Sequence, residues 1–313
     1  MRPRRLIEAP GLIVRSAKAR MRGQRASIPG LQFDAFGRRL GLRLMLSGQV
    51  DLGVSYVLNP VSIVRYFEFP FVAKSIPTNA SRCADISSPR LFSLFWSATH
   101  PGVVIEMFNP DRKDLEETRR IAASAGIALS FANSDVRTLR DRPNTYDSIW
   151  SISVLEHIHG AYDDRDAISW LYSALRPGGV LVVTVMTDRA FWDEYRDVDP
   201  YGLDRPVSGP VFFQRWYDLT SIRARLLDPL PGATATFGFF GETRPGAFKT
   251  YEAAWMRLGL SRSVDDPREI AENFREYMTW EAMPGAGVCG IRIVKPERHA
   301  TVSSPDREPE LGN

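Results

Sequence analysis

Residues 82–185 alternate short apolar runs with helical stretches of about 10–15 residues, and this pattern constrains the fold more than any other feature. It predicts a parallel sheet, and in open sheets of that type ligands bind beyond the carboxyl ends of the strands. A fifth apolar run, VLVVTVM, follows an Arg-Pro-Gly-Gly break and fits a strand buried on both faces. The first four runs are predicted to end at an acidic or small residue, namely Asp85, Glu106, Asp135 and Ser151.

The bulk composition is that of an ordinary globular protein. Its 313 residues are enough for a large core and two domains, with 44% hydrophobic and 25% charged residues. No apolar run approaches the ~20 residues that span a bilayer. Cys83 and Cys289 are too few for a disulfide framework, and with four scattered histidines they offer no metal-ligand spacing. We expect buried thiols, no bound metal and a reducing, cytoplasmic setting.

The N-terminal segment is strongly basic. Residues 1–43 contain eleven arginines and lysines against Glu8 and Asp34, whereas the rest of the chain has more acidic than basic residues. The basic start fits a loosely ordered extension, because Pro10-Gly11 interrupts the helical pattern, or an amphipathic arm that makes peripheral contact with an anionic membrane. Because the core is acidic, nucleic acid is not the expected partner.

Capping and breaking residues mark the predicted helices. Within the first 186 residues they run from Asn59 to a break or kink at Pro70, from Asp111 to Gly126, and from Asp163 or Asp164 to Leu175. Beyond them the pattern predicts helices at 219–227, 247–258 and 267–280, and strands at 234–240 and 287–294.

The chain is expected to divide into three parts. They are a basic, helical accessory segment over 1–80, a domain over 81–296 with substrate-side insertions at about 187–228 and 243–285, and a disordered tail over 297–313.

The core block resembles the class I S-adenosylmethionine-dependent methyltransferases of the type 11-like group. Three motifs occur in the order that the family shows: DISSP at 85–89, YDSIWSISVLEH at 146–157 and RPGG at 176–179. The resemblance implies an α/β fold, a Rossmann-like doubly wound seven-stranded sheet that is mostly parallel with an antiparallel last strand. Residues 234–294 would supply its last two strands. The implied activity is methyl transfer, with S-adenosylmethionine as cofactor.

The resemblance also implies which residues hold this cofactor. The matching positions are Asp85, Ser87 and Ser88 for the methionine end, Glu106 for the ribose hydroxyls, Asp135 and Val136 for the adenine, and Ser151 and Ile152 at the fourth strand. Carboxylates accept hydrogen bonds from hydroxyls and amines, and the helix after the first turn offers its positive N-terminal end to the methionine carboxylate.

The first turn departs from the family, which usually has two or three glycines there. Ser87, Ser88 and Pro89 replace them. Serine is small enough for a close backbone approach, and proline is favourable at the first position of a helix. The turn either binds the same ligand with different donors or no longer binds it.

Candidate catalytic residues follow the fourth strand. His157 and His159 are the general-base candidates for a hydroxyl acceptor, although each is also explained as a structural histidine, and Glu156 as part of the connection. Other groups that could reach the site from elsewhere in the chain are Tyr66, Glu68, Tyr217 and Asp218. Aromatic residues over 191–217 suggest an apolar or saccharide pocket, or core packing.

Three functions compete at this point. The first is a methyltransferase acting on a small molecule or saccharide, with oxygen as the expected acceptor atom. The second is a non-catalytic scaffold of the same fold, motivated by the missing glycines. A nicotinamide-dependent dehydrogenase is disfavoured, because the first turn lacks G-x-G-x-x-G.

Overall fold

The computed structural model describes residues 3–25, 28–62, 64–197, 209–258 and 267–297. Its strands are β1 (Arg82–Ile86), β2 (Val104–Phe108), β3 (Ser130–Ala132), β4 (Tyr146–Ile152), β5 (Leu175–Thr187), β6 (Trp192–Arg196), β7 (Val211–Trp216), β8 (Thr234–Glu242), β9 (Phe274–Tyr277) and β10 (Gly287–Val294). Its helices are α1 (Pro3–Arg25), α2 (Leu31–Leu46), α3 (Val50–Leu58), α4 (Arg65–Ser75), α5 (Leu91–Thr99), α6 (Arg112–Ala125), α7 (Asp164–Ala174), α8 (Leu219–Ile222), α9 (Ala247–Leu258) and α10 (Pro267–Asn273).

One large sheet organises the described chain, with strand order β3-β2-β1-β4-β5-β10-β8-β9. The first five strands are parallel, and β10 runs antiparallel between β5 and β8. The predicted doubly wound, mostly parallel fold is confirmed, and 234–294 does supply strands β8 and β10. The strand count is eight rather than seven, because β9 pairs with the edge of β8.

Two segments differ from the predicted elements. Residues 267–280 were expected to form one helix, but α10 ends at Asn273 and β9 follows. β9 exists because its backbone completes the open edge of β8, which local sequence does not show. The aromatic insertion likewise forms a two-stranded antiparallel sheet of β6 and β7.

The caps of the central helices agree with prediction. The Asp111 carboxylate accepts from the amides of Lys113 and Asp114, and Gly126 ends α6 at φ 65°. Asp163 opens α7 with a reciprocal capping box. Because these signals act within one helical turn, the sequence alone is enough to reveal them.

The N-terminal helices contradict the interruption predicted at Pro10-Gly11 and the helix end that was one of the two alternatives at Pro70. Helix α1 runs through Pro10-Gly11, and α4 runs through Pro70. A proline inside a helix costs roughly 3 kcal/mol. In α4 the burial of both sides of the helix outweighs that cost, with Tyr66, Phe69 and Val72 almost wholly enclosed.

Apolar residues cover both faces of the sheet. On one face, Phe33 of α2 and Phe69 of α4 pack against Phe92 of α5. The N-terminal helices thereby join the same core as the sheet. Both cysteines are buried thiols in strands, as expected. The tail beyond residue 297 lies outside the described residues.

Candidate active site

Asp85 lies at the carboxyl end of β1 and is fully buried. One carboxylate oxygen accepts from the Ser88 amide at 2.9 Å, and the other accepts from the Ser93 hydroxyl. The Trp150 indole donates to Ser93 in turn, at 3.1 Å. Burial raises the pKa of the Asp85 carboxyl, and these hydrogen bonds oppose the rise. Asp85 therefore supports the first turn from beneath.

Ser87 adopts the left-handed conformation that a glycine usually occupies, at φ 50°. Its amide and its hydroxyl both donate to the Phe108 carbonyl, at 2.8 and 3.1 Å. The Ser88 hydroxyl accepts from the Ile152 amide at 3.0 Å. The turn thus keeps the shape of a glycine turn and is fastened to the ends of β2 and β4.

Glu106 is not at the strand end where the sequence placed it. It lies in the middle of β2, two residues before Phe108. Its carboxylate accepts from Arg142 at 2.7 Å and from the Tyr146 hydroxyl at 2.8 Å. A ribose contact by Glu106 would require this ion pair to open. The strand ends two residues later, at Phe108, and Asn109 follows it.

Asp135 and Val136 open the short helical turn 136–141 beyond β3. The Asp135 carboxylate accepts from the Arg137 amide at 2.9 Å and pairs with the Arg137 guanidinium at 2.7 Å. Burial works against its charge, but the Arg137 contacts prevail and lower the pKa of Asp135. Asp135 stays partly exposed and ionised, as a hydrogen-bond acceptor for a ligand amine should be.

Two buried hydroxyls beside these residues lack a hydrogen-bond partner among the described residues. They are those of Ser134, next to Asp135, and Ser151, next to Ile152. Buried polar groups normally have partners, so unpaired ones are candidates for hydrogen bonds to a polar ligand. Together with the glycine-like turn at Ser87, they fit a nucleoside-type cofactor along this edge.

Helix α4 is fastened to the ends of β4 and β5 by a closed polar network, which we call the α4 latch (Arg65, Glu68, Ser153 and Thr184). The buried Glu68 carboxylate accepts from the Ser153 and Thr184 hydroxyls at 2.7 and 2.6 Å. Arg65 pairs with the other oxygen of Glu68 and donates to the Ser153 hydroxyl at 2.7 Å. The sequence suggested that Glu68 could close over the site, and the latch brings it there.

A cavity of about 230 Å³ opens beside the latch. It is smaller than the roughly 300–1,000 Å³ of typical ligand pockets, so it suits a compact group. Its wall comes from the loop before α4, the exits of β4 and β5, strand β7 and helix α9. The lining residues are Ser62, Val64, Arg65, Ser153, Glu156, His157, Met186, Phe213, Gln214 and Phe248.

Glu156 is the one acid among the described residues of the cavity wall, and it is fully buried. Neither of its carboxylate oxygens makes a hydrogen bond of normal geometry among the described residues. Burial raises the pKa of Glu156 to about 8, and the charge of Glu68 adds to the rise, while the nearby amides of Glu156 itself and Met186 oppose it. The carboxyl is therefore mostly protonated at neutral pH.

The two candidate histidines have different surroundings. His157 lines the cavity, and its Nδ1 lies 2.7 Å from the Phe213 carbonyl, so Nδ1 carries the proton. Burial lowers the pKa of His157 to about 4, which keeps the ring neutral. His159 is exposed and stacks on Phe212 at 4.3 Å, outside the cavity wall.

The other residues that the sequence considered near the site have structural partners. Tyr66 donates to Asp34 at 3.2 Å, and Tyr217 donates to Asp164 at 2.7 Å. Asp218 caps α8. The sequence did not indicate that Glu156 is buried in the cavity wall, although its apolar neighbours in VLEHI could have indicated burial.

Neither a membrane span nor a metal cluster is found within the described ranges. No helix there is long and apolar enough to cross a bilayer. No three histidine, cysteine or acidic side chains there come together as ligands for a metal ion.

Residues 99–183 match a family model described as a methyltransferase domain. The match spans β2 to β5 and includes the fourth-strand motif and the cavity residues Ser153 to His157. It begins after β1 and the Ser-Ser-Pro turn, so it does not test that turn. No curated protein matches the chain.

Solved structures with a similar chain course include a coclaurine N-methyltransferase bound to N-methylheliamine and S-adenosylhomocysteine. That structure is 9% identical, covers 72% of this chain and 68% of its own, and has a TM-score of 0.49. A methyltransferase from Mesorhizobium loti is 16% identical, with 72% and 97% covered and a TM-score of 0.44. Phosphoethanolamine N-methyltransferase 2 from Haemonchus contortus is 14% identical, with 72% and 51% covered and a TM-score of 0.45. All three scores are under 0.5.

Proposed function

We propose that this chain, which carries a methyltransferase domain of the S-adenosylmethionine-dependent kind, methylates a small molecule whose acceptor group enters the cavity beside the α4 latch. The observation that carries the proposal is the position of this cavity. It is built on Ser153, Glu156 and His157, which leave the carboxyl end of β4. That edge of a parallel sheet is where ligands bind in folds of this kind.

Separate parts of the strand-end edge would hold the cofactor. The turn of Ser87 and Ser88 and the N-terminal amides of α5 face the place for the methionine carboxylate, since the first amides of a helix lack helical partners. Asp135 and the Ser134 hydroxyl suit the adenine side, and Ser151 supplies a hydroxyl on β4, the neighbour of β1 on the side away from β3. When bound, S-adenosylmethionine supplies a methyl group already activated on a sulfonium sulfur.

The chain's own contribution is chiefly positioning. The α4 latch fixes Arg65 and Ser153 against the strand ends, and Phe213 and Phe248 give the cavity apolar walls. An acceptor held there lies beside the fourth-strand exit with little room to rotate. Correct placement of two reactants supplies a large part of the rate in a transfer of this type.

The acceptor atom is a separate question. An oxygen acceptor was expected, with His157 or His159 as general base. The low pKa of His157 makes it a weak base, and exposed His159 lies outside the cavity wall. The cavity itself holds Glu156, a carboxyl whose pKa is close to working pH.

The first test is calorimetric binding of S-adenosylhomocysteine to the full chain. We expect saturable one-to-one binding, and we expect Asp135→Ala to weaken it about tenfold through a lost charge-assisted hydrogen bond. Asp141→Ala is the matched control, because Asp141 ends the same helical turn and is 76% exposed. Absence of binding by the folded chain would refute the proposal.

A non-catalytic scaffold is the second candidate, and one observation favours it. The amides of Ser87 and Ser88 are both used within the chain, by Phe108 and Asp85. A turn whose amides already donate within the chain has fewer hydrogen-bond donors available for a ligand carboxylate. The same titration separates the two candidates, since a scaffold would keep its fold and bind no S-adenosylhomocysteine.

A further inference from the structure

We infer that the cavity recognises a cationic amine, with the Glu156 carboxylate as its counter-ion and as the group that takes its proton. This inference rests on the proposed function and deepens it by naming the substrate class. It starts from one observation: a fully buried carboxyl in a cavity wall makes no hydrogen bond of normal geometry among the described residues.

A lone buried carboxyl is costly in a folded protein. Leaving such a group unsatisfied is unfavourable, and more so when it is charged. Glu68, also fully buried nearby, shows how the same fold satisfies a carboxylate, with partners on three sides. Glu156 has no such partners, so a ligand that donates hydrogen bonds and carries positive charge completes it.

The charges around Glu156 favour a cation over a neutral group. From α4, Arg65 and Glu68 face it as an internally neutral pair. His157, from the same turn, is neutral at pH 7. Tyr217, following β7, is protonated because burial raises its pKa. An ionised Glu156 is thus the uncompensated charge of the described cavity wall, and one bound ammonium would neutralise it.

The shape of the cavity agrees with an amine on a compact apolar group. Met186, Phe213 and Phe248 are apolar walls close to Glu156. Aromatic rings also attract cations, which a hydroxyl acceptor would not exploit. A volume of about 230 Å³ leaves room for the amine end of a ligand.

The proton balance follows from the protonation state of the free protein. Glu156 releases its proton to solvent when an ammonium ion binds, and an ion pair forms. Within the cavity one N–H proton then moves to a Glu156 oxygen, which leaves R–NH₂ with a free lone pair and a neutral carboxyl. A nucleophilic nitrogen is thereby produced at a pH where free amines are protonated.

The test uses two probes of nearly identical shape, benzylamine and benzyl alcohol, titrated into the full chain by calorimetry. We expect benzylamine to bind about tenfold more tightly, because it alone carries the charge. At pH 7 its binding should release most of one proton, measured in buffers of different ionisation enthalpy, given the pKa of about 8.

Glu156→Gln is the decisive variant, since glutamine keeps the shape and removes the charge. It should abolish both the preference for benzylamine and the proton release. Glu116→Gln on the exposed surface of α6 is the control and should change neither. Equal affinity for the two probes in the wild-type chain, or a preference that survives in Glu156→Gln, would overturn the inference.

Two further titrations distinguish this inference from the proposed function and from a contact between Glu156 and the cofactor sulfonium. S-adenosylhomocysteine binding without amine preference would defeat the inference and leave the proposed function intact, and the reverse pattern would defeat the proposed function alone. If Glu156→Gln weakens binding of S-adenosylmethionine but not of neutral S-adenosylhomocysteine, the carboxylate faces the sulfonium, and the amine assignment is wrong. If Glu156→Gln affects the binding of both cofactors equally, Glu156 does not pair with the sulfonium, and the amine assignment stands.

Discussion

The first turn and the cavity wall lie on the same edge of the sheet, and each contains a fully buried carboxyl, yet the two carboxyls differ in their hydrogen bonding. In the first turn, both Asp85 oxygens accept hydrogen bonds, the Ser87 hydroxyl donates to Phe108, and the Ser88 hydroxyl accepts from Ile152. In the cavity wall, Glu156 has neither of its oxygens matched.

Polar groups that are hydrogen-bonded within the chain stabilise the fold, whereas an unpaired polar group is available to a ligand. Closed hydrogen bonds make the turn rigid, and they let serine stand where glycine is usual. The open carboxyl lowers stability at neutral and alkaline pH, which natural proteins tolerate mainly at functional positions. The comparison predicts that substitutions in the two regions shift stability in opposite directions.

The largest effect is expected from Glu156→Gln at alkaline pH. Glu156 has a folded-state pKa of about 8 against an ordinary value of 4.5. Its protonated form therefore supports folding fully below pH 4.5, and this support is lost as the pH rises through 8. Glutamine does not titrate. The variant should match the wild type at pH 4 and exceed it by on the order of 4 kcal/mol at pH 8.5.

Urea unfolding at both pH values measures this difference. Glu116→Gln again serves as the control, because an exposed side chain should give no such pH-dependent gain. If Glu156→Gln is less stable than the wild type at pH 8.5, the carboxylate has partners and the contrast between the regions disappears.

Asp85→Ala is expected to act in the opposite direction. It leaves the Ser88 amide and the Ser93 hydroxyl without their acceptor in a dry interior, so we expect a loss of about 2 kcal/mol. Asp85→Asn keeps one acceptor oxygen and should lose less. Urea unfolding at pH 7 decides, and a stabilised Asp85→Ala variant would show that the turn is as unsatisfied as the cavity wall.

The smallest effect concerns Ser87. Glycine there removes the strain of φ 50° but also the hydroxyl bond to Phe108, whereas alanine keeps the strain and loses the same bond. Ser87→Gly should therefore be about 1 kcal/mol more stable than Ser87→Ala. Equal thermal midpoints for the two variants would show that the left-handed conformation is not strained.

Much of the fold could be predicted because its signals are local. The strand predicted at 287–294 and the helix at 247–258 match β10 and α9 residue for residue. The cap at Asp111 and the stop at Gly126 also agree. Each depends on hydrophobic period or on a side chain within one turn.

The features that were predicted wrongly depend on contacts between distant parts of the chain. Pro70 continues a helix because distant aromatic residues enclose it, and β9 forms because β8 leaves an edge to pair with. Glu106 was placed at a strand end, but a strand that ends at Phe108 puts its side chain in mid-strand beside Arg142. A difference of two residues keeps the side chain on the same face of the sheet but moves it about 7 Å back from the strand end, since a strand rises about 3.3 Å per residue.

The sequence by itself determined the parallel core of the sheet, the caps of α6 and α7 and the motifs that match a methyltransferase domain, because hydrophobic period and capping act between near neighbours in the chain. Only the tertiary structure decided which acidic groups are satisfied and which are open. Glu68 and Glu156 are both single glutamates in apolar surroundings when read along the chain. Their difference arises because residues from α4, β4 and β5 meet around one of them and leave the other facing a cavity.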